Sequence, residues 1–130
     1  MIRACSRQAS LFLLAVLLAG VFSCATTPPP LYDEGGKPLS ITDYEKLAQK
    51  EYENGRYENA IQVYQAIIDH YPENQNAVAW AHYEIGYCHY MRGEYDRAEQ
   101  YFRTVLNRFQ EPAARTLATQ MLERIREQRT

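Results

Sequence analysis

The stretch GRYENAIQVYQAIIDHY, residues 55–71, returns as GEYDRAEQYFRTVLNRF, residues 93–109. In register, Gly55 falls on Gly93, Tyr57 on Tyr95, Ala60 on Ala98, Tyr64 on Phe102, Ile67 on Val105, Ile68 on Leu106 and Tyr71 on Phe109. The same offset carries upstream, pairing Leu47 with Ile85, Ala48 with Gly86 and Tyr52 with Tyr90. A constant offset over that length marks a repeated helix-turn-helix unit rather than two similar helices. The alanines and Gly86 leave room for two helices to cross closely. Gly55 and Gly93 turn the chain between them, and Tyr64 and Phe102 fill the remaining gap.

Outward from the repeat, apolar residues recur every three or four positions from Thr42 onward, with no strand-like alternation. Breaks fall at Asn54-Gly55, Tyr71-Pro72, Arg92-Gly93 and Glu111-Pro112. The spacing predicts five helices, near 42–54, 58–70, 76–91, 95–109 and 113–128, the first opened by a capping box at Thr42 and Glu45. The fifth carries an apolar stripe of Leu117, Met121, Leu122 and Ile125 with charge on its other face, which suits a helix that closes the array.

These residues resemble the tetratricopeptide repeat (TPR) family over the stretch from near Ile41 to Phe109. The resemblance implies an all-α, helix-turn-helix (TPR) solenoid of two repeats plus a C-terminal capping helix, a TPR domain over residues 41–130. The offset exceeds the usual period of about 34 residues by roughly one helical turn, and the extra lies around ENQNAVAW. Gln110 stands where Pro72 closes the first unit. Longer repeats of this kind are similar to those of bacterial envelope TPR lipoproteins and other exported bacterial TPR proteins.

Trp80, Tyr83, Tyr87 and Tyr90 recur at spacings of three, four and three, which puts them on one side of the third helix. In TPR proteins that side of each first helix lines a concave groove for peptides. The resemblance therefore implies a partner-binding groove of Thr42, Glu45, Gln49 and Tyr52 from the first repeat with Trp80, Tyr83, Tyr87 and Tyr90 from the second. Tyr and Trp suit the role, being large and rigid with a polar tip. The residues alone leave a second reading open, in which the stripe is packed under the last helix, under the N-terminal segment or against another copy of the chain.

At the N-terminus, Arg3 and Arg7 precede an apolar run from Leu11 to Phe22, the pattern of a secretory signal. The run falls short of the roughly 20 residues a membrane-spanning helix needs. VFSC before Ala25 resembles a bacterial lipobox, which implies a lipoprotein signal peptide over 1–23 and acylation, palmitate included, at Cys24. Ala25 in place of an acid implies sorting to the outer membrane, facing the periplasm. Residues 24–40 are rich in Pro and Gly without hydrophobic period and read as a disordered tether, able to hold the domain some tens of Å from the bilayer.

Fourteen Lys and Arg against 16 Asp and Glu give a net charge of −2 with no basic block, so the electrostatic footprint of a nucleic-acid binder is missing. No serine elbow, phosphate-cradling loop, HExxH or CxxC occurs. His82 and His89 lack a third ligand at familiar metal spacing. No catalytic residue, metal or cofactor is therefore expected. The expected function is a lipid-anchored adaptor that binds a protein or peptide partner at the bacterial cell envelope. The alternative is a structural subunit of an envelope assembly, or a homo-oligomer, closed through the same aromatic face.

Overall fold

Ser40 is the last residue with extended backbone before the first helix, and its hydroxyl accepts the Asp43 N–H at 3.2 Å while donating to the Asp43 carboxylate at 2.6 Å. The capping pair is thus Ser40 and Asp43 rather than Thr42 and Glu45. The expected box was two residues late because Ile41 and Thr42 already have helical backbone. The structure, a computed structural model, describes residues 27–130. It holds α1 (Ile41–Glu53), α2 (Tyr57–His70), α3 (Gln75–Met91), α4 (Tyr95–Arg108) and α5 (Pro112–Gln128). The all-α repeat solenoid expected from the sequence is the fold found. Asn74 caps α3 through the Ala77 N–H at 3.0 Å. Pro112 opens α5 at a position where no N–H is needed.

The helices pack in chain order, each against the next, and α3 also touches α5. What sets each pair is the absence of bulk at the crossing. A Cβ on Gly86 would lie 2.9 Å from Cε1 of Phe102 and 3.0 Å from Cβ of Tyr101. In the first repeat Ala48 and Ala60 are fully buried, as is Ala98 in the second. Gly55 and Gly93 turn the chain with φ of 71° and 74°, a backbone region that costs glycine nothing.

A polar bridge spans each turn. Glu51, buried at the end of α1, accepts from Arg56 Nε at 2.6 Å, Arg56 Nη2 at 2.9 Å and Asn59 Nδ2 at 2.8 Å. The hydrogen bonds from Arg56 hold the Glu51 carboxyl down to about 2, against the opposing pull of burial. In the second repeat His89 stands at the Glu51 position and Glu94 at the Arg56 position, with Nδ1 2.7 Å from the Glu94 carboxylate. The repeat keeps the bridge and reverses its polarity.

The segment expected as a disordered tether follows a different course where it is described. Residues 27–40 lie against the first repeat. The Tyr44 hydroxyl donates to the Leu31 carbonyl and the Tyr71 hydroxyl to the Leu39 carbonyl, both at 2.7 Å, and Asn59 Nδ2 donates to the Thr27 carbonyl at 3.0 Å. Pro29 is buried, and the Tyr32 ring meets His70 edge-on at 5.6 Å between centroids. A tight loop closes on Asp33, whose carboxylate accepts the N–H of Gly35 and of Lys37. Composition described what the segment cannot do alone. It missed that tyrosines of the repeat satisfy the segment's carbonyls from outside. Cys24 and the signal-like segment lie outside the described residues.

Replacing Gly86 by Ala separates two opposed effects. Alanine favours helix over glycine by about 1 kcal/mol, whereas a methyl forced against the fully buried Phe102 ring costs about 1–3 kcal/mol. The difference runs from about 0 to 2 kcal/mol, and with the added methyl 2.9 Å from the Phe102 ring packing wins, so Gly86→Ala is expected to lower stability by about 1 kcal/mol. Thermal unfolding checks it: an unchanged or raised melting temperature would mean that the α3–α4 crossing is looser than described.

Candidate functional site

The two first helices of the repeats, α1 and α3, stand side by side with α2 behind them, and a cavity of about 510 Å³ opens between them. Its α1 wall carries Glu45, Gln49 and Glu53, four residues apart and so on one helical face, with Lys46 and Lys50 along the edge. Its α3 wall carries Ala77, Trp80, Ala81 and Glu84. Tyr64 and Ile67 of α2, both buried, form the floor. A cavity of this size suits one or two side chains of an extended segment rather than a whole helix.

Within the cavity the acidic groups are not alike. Gln49 donates to Glu53 at 2.9 Å, and Glu45 is exposed. Glu84 is half-buried and has no ion pair or hydrogen-bonded side chain among the described residues. Burial pushes its carboxyl up to about 7, and its charge in turn raises Tyr64 and Cys88, both already raised by burial.

Three of the eight expected groove residues, Glu45, Gln49 and Trp80, line this cavity. Thr42 is exposed one turn before it. The remaining four lie elsewhere. Tyr83, Tyr87 and Tyr90 form a ladder with successive centroids 6.2 Å apart, extended to Tyr95 at 5.4 Å. Tyr83 also packs on Phe102 at 5.6 Å and is only 8% exposed. This ladder belongs to the core that α3 and α4 share with Ala114, Ala118, Met121 and Ile125 of α5. Tyr52 joins it from α1, 5.9 Å from Tyr87 and 5.4 Å from Tyr57, and burial raises its hydroxyl. The reading in which the last helix covers the stripe therefore holds for Tyr83, and in part for Tyr87 and Tyr90.

Helical geometry explains the split. At roughly 100° per residue, a step of three falls roughly 60° short of a full turn. Two such steps in the stripe turn Tyr83 and Tyr90 well away from Trp80, whereas Ala77, Ala81 and Glu84 rotate from it in the opposite sense. Trp80 sits at the boundary, edge-on to Tyr83 at 5.9 Å with its other side on the cavity. Glu84 was legible in the sequence as the one formal charge between Gln75 and Met91. Its position one turn beyond Trp80 was the signal.

A family model of the tetratricopeptide repeat matches residues 51–121, more than half of the chain. The chain belongs to the tetratricopeptide-repeat family. The match starts inside α1 and ends inside α5, so it takes in the turn of the first repeat, all of the second and the start of the closing helix. No curated protein and no solved structure matches the chain. Members of this family bind other proteins through their helical repeats.

Truncating residues on the two sides of α3 gives opposite expectations. Tyr83→Ala removes a core ring and is expected to destabilise by about 3 kcal/mol or more, whereas Gln49→Ala, on the exposed cavity wall, stays within about 0.5 kcal/mol. Denaturant unfolding of both variants distinguishes them. Near-equal effects would mean that the aromatic ladder is more open than its contacts imply.

Proposed function

We propose that this chain is a lipid-anchored TPR adaptor of the bacterial cell envelope, and that the cavity between α1 and α3 holds a side-chain-bearing segment of a protein partner. The observation that carries the reading is the cavity itself. It lies between the first helices of successive repeats, is walled by the chain's single tryptophan, and stays open while Tyr83 of the aromatic ladder beside it is buried. Tryptophan at a central, partly desolvated position is a common anchor for a partner. The work is binding rather than catalysis. Among the described residues no group of three His, Cys, Asp or Glu is placed to hold a metal.

The membrane part of the reading rests on the VFSC sequence before Ala25. Among the described residues no helix is long and apolar enough to cross a bilayer; the proposed attachment is lipid at Cys24, in the outer membrane facing the periplasm. Only Ala25 and Thr26 separate Cys24 from Thr27, whose carbonyl is tied to Asn59. The three steps from Cys24 to Thr27 reach at most about 10 Å. An acylated chain would therefore ride close to the headgroups, not at the long standoff expected of a free tether. The structural-subunit alternative needs an open aromatic face, and Tyr83 of that face is buried in the core shared with α5.

A photo-crosslinking residue in place of Gln49, in the cavity, is expected to capture a discrete partner in native membranes, and one in place of exposed Arg103 on α4 is not. Cys24→Ala is expected to move the protein from the membrane to the soluble fraction and to remove the acyl mass. Equal capture from both positions would contradict the groove, and an unchanged mass with retained membrane partition would contradict the anchor.

A further inference from the structure

We infer that the α1–α3 cavity is selective for a basic side chain, a lysine or arginine on an extended segment of the partner, seated against Trp80 and paired with Glu84. The inference deepens the groove reading given above and rests on it. Three observations carry it. Glu84 points into a cavity large enough for a long side chain and has no cation of its own among the described residues. Trp80, one turn earlier on the same helix, offers the aromatic wall over which an ammonium or guanidinium is held best. Glu45 and Glu53 stand on the facing wall, so a cation entering between the helices meets a carboxylate on either side.

The opposing charges are Lys46 and Lys50. Both are exposed on α1, where their long stems carry the ammonium out to water and screening weakens them. Glu84 lies deeper, in a setting of lower dielectric where one charge counts for more. The other titratable groups facing it are Tyr64 from α2 and Cys88 one turn along α3, both raised by burial and neutral through the physiological range. An anionic side chain would meet three carboxylates and the desolvated phenol, and a neutral one would offer no charge to offset the desolvation of ionised Glu84.

A cation favours the ionised form of Glu84, whose carboxyl is pushed up to about 7 in the empty cavity. The sign follows directly. Above pH 7 the carboxylate is ready and affinity is full; as pH falls below 7 a proton must be expelled before the cation can pair, and affinity drops. Because the raised value means that ionised Glu84 opposes folding above pH 7, Glu84→Gln should keep or gain melting temperature.

Trp80 emission reads the cavity without a label. The probe is a short capped peptide alternating Ser and Lys, which in extended form presents its amines on one side, against the same peptide with Glu for Lys. The Lys peptide is expected to shift Trp80 emission saturably, with affinity about tenfold or more weaker at about pH 5.5 than at about pH 8. Glu84→Gln should bind about tenfold more weakly at the higher pH and lose the pH dependence. The inference is overturned if the Glu peptide binds as well as the Lys peptide, or if Glu84→Gln leaves affinity unchanged. Binding of both peptides through Trp80 would overturn basic selectivity alone, whereas no response to either, with no capture at position 49, would overturn the groove reading as well. The pH titration uses the unaltered protein, so the proposal stays open to refutation whatever the variant does.

Discussion

The close approach of paired helices is the constraint from which the rest of this molecule follows. Where α3 crosses α4, the Phe102 ring lies so near the Gly86 backbone that a methyl would not fit. The first repeat meets the same demand with Ala48, Ala60 and Tyr64. Such a crossing fixes each helical pair as a rigid unit, because interiors packed this densely do not deform continuously. Stacking two rigid units sets α1 beside α3 at a distance determined by α2 behind them, and the cavity is what that distance leaves. The bridges across the two turns hold each pair at its open end, Glu51 with Arg56 and His89 with Glu94. Their reversed order shows that the turn accepts the carboxylate on either side of the bridge, at its start in Glu51 or after it in Glu94.

A small solenoid also has two raw ends. Here α5 covers one, burying Ala114, Ala118, Met121 and Ile125, and residues 27–40 cover part of the other through Pro29 and the hydroxyls of Tyr44 and Tyr71. The two caps differ in kind. The helix buries apolar surface, and the N-terminal segment is held by carbonyl acceptors that tyrosines reach from the repeat. That difference decided what sequence reasoning could see. The stripe of Leu117, Met121, Leu122 and Ile125 has a helical period of its own, so α5 was legible as a closing helix. The segment after Cys24 has no period, and the groups that order it belong to helices distant in sequence.

The same logic separates what was legible in the candidate site from what was not. Repeat register placed Gly86, Phe102 and the alanines correctly, because matched pairs under one packing demand leave a pattern in the chain. The three-four-three stripe of Trp80, Tyr83, Tyr87 and Tyr90 was real as a helical side but straddled two environments. Tyr83 went to the core beneath α5 and Trp80 to the cavity. Spacing fixes a direction around the helix axis only to within tens of degrees, and what lies in that direction is decided by the neighbouring helix. Glu84 is the converse case. A lone carboxylate in an otherwise uncharged helix was visible in the sequence, but its place in the wall of a cavity required α1 opposite.

Basic selectivity turns on a single half-buried carboxyl that faces the cavity without a partner among the described residues. Glu84 can be followed directly by ¹³C NMR of its side-chain carboxyl in the unaltered protein, assigned by loss of the resonance in Glu84→Gln. The account predicts titration at about 7, well above an unperturbed glutamate at about 4.3, with the midpoint moving down when the basic peptide is added. A midpoint in the ordinary carboxylate range in the free protein would show that Glu84 is solvated or already paired, and would contradict it.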